Sequence, residues 1–192
     1  MLIAGVDEVG RGPLAGPVVA AVVVFNEGYQ NYDIRDSKKL SAKKREGLAV
    51  EIKRDAVEWA IVSVGHHRIE EHNIRGASLL AMSLAVQRVR ADLILVDGNA
   101  EIRTNRPQRA VIGGDDKHVE ISAASIIAKV WRDYLMTVMD RRYPGYELGA
   151  HAGYGTLRHR QAIALLGPSP IHRASFRGVR EYLSTALIAA SA

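Results

Sequence analysis

The sequence contains no cysteine, so neither a disulfide framework nor a thiolate metal site is available to it. Aromatic residues are scarce at 6%, which leaves aliphatic side chains to build the core. Long apolar runs are missing too. The longest, Val18 to Phe25, falls well short of the ~20 residues that a membrane-spanning helix needs. The opening Met1-Leu2-Ile3-Ala4-Gly5 lacks a basic stretch and meets an acidic pair at once, so it does not read as a secretory signal. A cytoplasmic chain with no membrane association is expected. There is no internal repeat and no low-complexity tract. What remains is 192 residues, 47% of them hydrophobic, enough for one domain with a real core. The formal charge of +5 permits a polyanionic partner without demanding one.

Alternation and periodicity divide the chain into elements. Leu2 to Asp7 and Val18 to Phe25, rich in alanine and β-branched residues and separated by glycine and proline, read as neighbouring buried strands. Ser41 to Val57 reads as a helix with an N-cap serine. Trp59 to Val64 is a third strand and Ile69 to Ala91 a helix with an apolar stripe. Leu93 to Val96 and Ala110 to Gly113 are short strands. Ile121 to Tyr143 is a long helix ending before Pro144, followed by helical segments over Leu157 to Leu166 and Phe176 to Ala189. Strands first, then helices alternating with short strands, predict an α/β fold with a mixed sheet flanked by helices.

Three places carry chemistry. In Gly5-Val6-Asp7-Glu8-Val9-Gly10-Arg11-Gly12-Pro13, Asp7 ends a buried strand, where a lone carboxylate is costly without a cation or donors. Successive strand side chains point to opposite faces, so Asp7 and Glu8 share a site only if the chain ends or kinks just after Asp7. Gly10 and Gly12 permit that, and they let backbone N–H groups approach a phosphate beside the Arg11 guanidinium. The plainer alternative is an acidic strand end with a tight turn. A dinucleotide fingerprint is excluded, because the glycine spacing is wrong and a strand follows Gly16. Second, Asp97 follows the apolar run Leu93 to Val96 at a carboxyl strand end, a place for a site and equally for a turn before Gly98. Third, Ser122, Ser125, Lys129 and Asp133 fall at spacings of three, four and four, on one face of the long helix. Small serines there let a ligand approach closely. Carboxylates without cysteine suit hard cations such as Mg²⁺ or Mn²⁺. Two such ions roughly 4 Å apart activate water and stabilise the leaving oxygen in phosphoryl displacement.

Other groups read more simply. His66, His67, Glu70, Glu71 and His72 lack zinc-protease spacing and form a solvated helix start. Lys38-Lys39 with Lys43-Lys44-Arg45 is an exposed basic patch, with phosphate contact as its functional alternative. Gly113-Gly114-Asp115-Asp116 is a turn in which Asp115 is an outer-shell candidate.

Taken together, several stretches resemble ribonuclease HII, the type 2 ribonuclease H family. They are Val6 to Pro17, Asp36-Ser37-Lys38-Lys39-Leu40, Val96-Asp97-Gly98, Gly114-Asp115, Ile121 to Val130 with Arg132-Asp133, Gly153-Tyr154-Gly155-Thr156, and Ile171-His172-Arg173 with Ser175-Phe176. They follow the family's order over nearly the whole chain, and the last blocks look bacterial rather than archaeal. The resemblance implies a ribonuclease H-like fold with a five-stranded mixed sheet. It implies a catalytic domain over 1–143 and a C-terminal helical extension over 144–192 packed on the same domain. It implies endonucleolytic hydrolysis of the RNA strand of RNA–DNA hybrids and incision 5′ of single ribonucleotides in duplex DNA, leaving 5′-phosphate and 3′-hydroxyl ends. Asp7, Glu8, Asp97 and Asp133 match its metal-binding catalytic acids, with two Mn²⁺ or Mg²⁺ ions expected. Gly10-Arg11-Gly12 match the turn that senses the ribose 2′-hydroxyl, and Tyr154 matches the tyrosine that packs on the following deoxyribose. Lys39, Ser125 and Lys129 are further substrate-binding candidates. The chain departs from the family at Val9 (usually alanine), Trp131 (commonly threonine) and Ala152 (frequently lysine). Trp131 is expected to alter packing under the site, and Ala152 to weaken substrate contact near Tyr154. The expected partners are hybrid and ribonucleotide-containing duplex, met by a monomer; the C-terminal Ala186 to Ala190 shows no sliding-clamp motif. The rival readings are a DNA resolvase or transposase-like nuclease, a non-catalytic hybrid-binding module and a basic scaffold protein. Trials on all-DNA junctions separate the first, tight metal-independent binding without turnover marks the second, and the third leaves four placed carboxylates unexplained.

Overall fold

Burial on both faces explains the valine-rich stretches near the N-terminus. In the computed structural model, which describes residues 1–34 and 40–183, β1 (Leu2–Val9) and β2 (Val18–Asn26) pair antiparallel along their whole length. All of β2 except Asn26 is buried, which is why it reads as a continuous apolar run rather than an alternating one. The edge strand β3 (Glu58–Val64) lies antiparallel to β2 and does alternate. On the other side β4 (Leu93–Asp97) runs parallel to β1, and β5 (Gln108–Val111) parallel to β4. The order is β3-β2-β1-β4-β5, the mixed five-stranded sheet expected.

Helix α2 (His66–Val86) covers one face, packing Ala77, Ala81 and Ala85 on Val6, Val22 and Val96. Helices α1 (Ala42–Asp55) and α3 (Val119–Arg142) cover the other. Gly5 sets the approach of α3 to the sheet: a Cβ there would overlap the backbone of Glu120 and Ile121, so only glycine lets the helix lie directly on β1. α1 starts as its serine predicts, with the Lys44 N–H donating to Ser41 Oγ at 3.3 Å.

Several boundaries shift. α2 starts three residues before Ile69 and stops at Val86, so residues 87–91 lie outside it. It is also broken at Asn73 (φ 55), whose Oδ1 accepts from Arg75 and Gly76 N–H at 3.0 and 3.1 Å, an internal cap that restarts the helix. β5 begins two residues earlier than its hydrophobicity indicates. Of the helix expected over Phe176 to Ala189, the described part begins at Arg180, and residues after Leu183 lie outside the described residues. A short helix α4 (Leu148–His151), not anticipated, precedes α5 (Leu157–Leu166). Leu148, Ile163 and Val179 from this C-terminal part share a core with Met136 of α3 and with Leu14 and Ala15 of the β1–β2 loop. Among the described residues, no helix is long and apolar enough to cross a membrane.

Candidate active site

β1 and β4 run parallel and in register, Val6 beside Val96, so Asp7 and Asp97 emerge together at the carboxyl edge of the sheet. No kink follows Asp7: β1 stays paired through Glu8↔Ala20 and Val9↔Val19. The expected distortion is absent, and the two side chains take opposite faces. Asp7 turns toward α3, where the Ser125 hydroxyl donates to it, and it also accepts from the Glu8 N–H at 2.7 Å. Glu8 turns toward α2 and lines a cleft of about 100 Å³ with Arg11, Arg75, Asp97 and Asn99. The site closes around the end of the sheet instead. Because β4 ends at Asp97, the carboxylates see each other across the open edge.

Their electrostatics leave three acidic groups repelling one another at the sheet edge. Burial, then the charges of Glu8 and Asp97, push the Asp7 carboxyl well above its ordinary range. Burial also raises Glu8, partly offset by Arg11, which donates to it at 3.3 Å. Clustered carboxylates with no thiolate nearby fit a hard divalent ion, whose charge would remove this repulsion. Among the described residues, no three His, Asp or Glu side chains stand together in chelating geometry.

The Gly10–Pro17 loop beside them is held by two fully buried arginines. Arg173 donates to the carbonyls of Gly10, Arg11 and Gly16 at 2.6, 2.8 and 3.0 Å. Arg132 donates to Pro17, Ala15 and Ala152 at 3.1, 3.2 and 2.8 Å. Gly10 (φ +92) cannot be replaced without a Cβ striking Arg132. Burial and the facing Arg132 lower the Arg173 guanidinium to about 9. The loop's carbonyls thus point inward to the arginines, and the Tyr154 ring lies beside Gly12, with Cε1 3.6 Å from where a Gly12 Cβ would stand.

Asp133 does not join the cluster. It pairs with Lys129 at 2.8 Å and lies 3.9 Å from Arg45. It lies eight residues beyond Ser125, ~12 Å along the helix axis. The face drawn from Ser122 to Asp133 is real but serves several places. Ser122 donates to the Asp115 carbonyl at 2.6 Å, Ser125 to Asp7, and Lys129 to Asp133. Asp115 comes closer than expected of a turn residue: it is buried, and the preceding Gly114 N–H donates to Asp97 Oδ1 at 2.8 Å. Trp131 is not under the site but 40% exposed on a groove wall, whereas Val9 packs into the core beneath α3. Ala152 lies beside the loop, in a left-handed conformation at φ 50. Lys39, with Asp36 to Lys38, lies outside the described residues.

Sequence reasoning missed the roles of Arg132, Arg173 and a buried histidine pair. His159 Nε2 lies 3.0 Å from His172 Nε2. His172 Nδ1 accepts from the Ser169 N–H at 2.9 Å, so its proton sits on Nε2 and is shared with His159, whose Nδ1–H donates to the Tyr154 carbonyl at 2.9 Å. Polar residues this buried in a helical extension were the available signal, but burial is not visible before the fold is known.

A mixed sheet of this order, with carboxylates gathered at the shared edge of its two central parallel strands, defines a nuclease of the ribonuclease H-like fold. The sequence model of Ribonuclease HII matches residues 4–179, and the chain belongs to that family. It is 50% identical over 183 residues to ribonuclease HII of the bacterium Syntrophotalea carbinolica, covering 94% of this chain and 88% of that one. Its structure is similar to ribonuclease H2 from Pyrococcus horikoshii, with a TM-score of 0.83, 26% identity and coverage of 96% and 98%. It is also similar to the ribonuclease HII solved in complex with PCNA from Archaeoglobus fulgidus, with a TM-score of 0.78, 25% identity and coverage of 92% and 96%. The chain is accordingly a metal-dependent ribonuclease, a phosphodiester hydrolase, and the activity that goes with its family is endonucleolytic cutting of RNA in RNA–DNA hybrids.

Proposed function

We propose that this ribonuclease incises 5′ of single ribonucleotides embedded in duplex DNA as well as cutting longer hybrids, by two-metal-ion hydrolysis. Bound Mg²⁺ or Mn²⁺ would supply an activated water and charge stabilisation of the leaving oxygen. Asp7, Glu8 and Asp97 would hold the ions, and we assign the fourth carboxylate to Asp115 rather than Asp133, because Asp115 is buried and follows Gly114, whose N–H donates to Asp97 Oδ1. Ser125 orients Asp7. The observation that carries ribose selectivity is the Gly10-Arg11-Gly12 turn beside Glu8. Arg173 commits the carbonyls of Gly10 and Arg11, so the turn presents backbone N–H donors to a ribose 2′-hydroxyl, the group that separates RNA from DNA. Tyr154 beside Gly12 packs against the sugar that follows. The 5′-phosphate and 3′-hydroxyl products follow from water attacking the phosphorus with the 3′-oxygen leaving.

The test is a DNA duplex carrying one ribonucleotide, incubated with purified protein and Mn²⁺ or Mg²⁺. Cutting on the 5′ side of the ribonucleotide is expected, and an intact duplex overturns the assignment. Asp97→Asn should lose more than about 100-fold in rate while keeping its melting temperature, since metal ligands matter at least as much as the groups that orient them.

A further inference from the structure

A groove of about 750 Å³ opens between α1, α3 and α4, with Arg45, Lys129, Trp131, Tyr134 and Tyr154 on its walls. We propose that it seats the sugar–phosphate backbone of the substrate strand flanking the cut, with Trp131 and Tyr134 packed against its sugars. This rests on the nuclease reading above and adds a subsite specific to this sequence.

The position of the groove argues for that occupant. Lys129 is one helical turn, ~6 Å, beyond Ser125, which bonds Asp7, so the groove leads directly away from the carboxylates along α3. Its opposite wall carries Tyr154, the residue beside the Gly10–Gly12 turn. Its composition argues the same way. Trp131 and Tyr134 are 40% and 62% exposed, with ring centroids 6.1 Å apart, although Arg132 between them is fully buried. Exposed aromatic rings in a concave surface usually mark a binding site. Beside them Lys129 pairs with Asp133 at 2.8 Å, and Arg45, whose guanidinium donates to the Leu40 carbonyl, lies 3.9 Å from the same carboxylate, which fixes two cations where phosphates would pass. Flat amphipathic rings next to ordered cations match alternating sugars and phosphates. In a paired duplex the bases are stacked internally, so the rings meet sugars and groove edges rather than base faces.

The experiment compares Trp131→Ala and Tyr134→Ala with the parent on three duplexes carrying one ribonucleotide. One extends far on both sides, one is cut back to two base pairs on the 5′ side of the cut, and one likewise on the 3′ side. On the long duplex KM should rise about five- to tenfold with kcat little changed, and Trp131→Phe should recover most of the loss. The penalty should disappear when one particular side is cut back and persist when the other is. An unchanged KM on the long duplex, or an equal penalty on all three, overturns the proposal. Failure of the parent to cut any of them would instead overturn the function itself, and circular dichroism melting separates either outcome from misfolding.

Discussion

Replacing Asp133 by asparagine separates a metal ligand from a residue that orders cations. The substitution keeps size and hydrogen bonding but removes one charge. What the structure stands to lose is an ion pair with Lys129 at 2.8 Å and a longer one with Arg45 at 3.9 Å, with the Asp133 side chain 36% exposed. Pairs this exposed contribute up to about 1 kcal/mol. Released cations would still attract phosphates, only less well placed. The expected change is therefore a KM increase of up to about fivefold at low salt, shrinking as salt screens the groove, with kcat within about twofold. Steady-state cleavage of a ribonucleotide-containing duplex from ~50 to ~200 mM salt measures both. A metal ligand would behave in the opposite way, losing kcat by two orders of magnitude or more at every salt concentration. Such a loss would return Asp133 to the catalytic set and refute the assignment of Asp115.

Two further outcomes follow from the buried polar network. Arg173→Met leaves three inward-facing carbonyls without their donor, at about 1–3 kcal/mol each before relaxation, so urea denaturation should show a loss of roughly 3–5 kcal/mol; a loss under 1 kcal/mol would show that the guanidinium is not what holds the loop. Burial and the facing His159 lower His172 from 6.5 to about 4. The unfolded chain therefore takes up that proton first as acid is added. The stability tied to the neutral pair is full above about pH 6.5 and falls by roughly 3 kcal/mol on the way down to pH 4. It is read as the difference in urea midpoint slope between the parent and His172→Gln, and equal slopes would refute it.

The sheet and its helices were largely legible in the sequence because they rest on local patterns. The unbroken apolar run of β2 announces burial on both faces, and Ser41 caps α1 as its position indicates. Asn73 was not legible, since a polar residue on a periodic helix face gives no sign that it breaks and recaps the helix. In the site, Asp7, Glu8 and Asp97 stood out because acids at the ends of buried strands are costly without a ligand. The place of Asp133 was not legible for a physical reason: helical spacing fixes the face of a residue but not its distance along the axis, and two turns separate it from Ser125. A Gly-Gly-Asp-Asp stretch looks like an ordinary turn, and only the fold shows that the turn reaches Asp97 through the Gly114 N–H. The roles of Arg132 and Arg173 depend on contacts more than a hundred residues apart, which no local pattern carries.

The Arg173 bonds to Gly10 and Arg11 span 163 and 162 residues, nearly the length of the chain. Loop closure of that length comes late in folding. β1 and β2 can form as soon as they are synthesised, but the turn between them takes its working shape only after residue 173 has arrived. The loop beside the acids therefore depends on a residue far along the chain: until residue 173 has been made, a growing chain carries Asp7 and Glu8 but lacks the clasp that shapes the turn next to them.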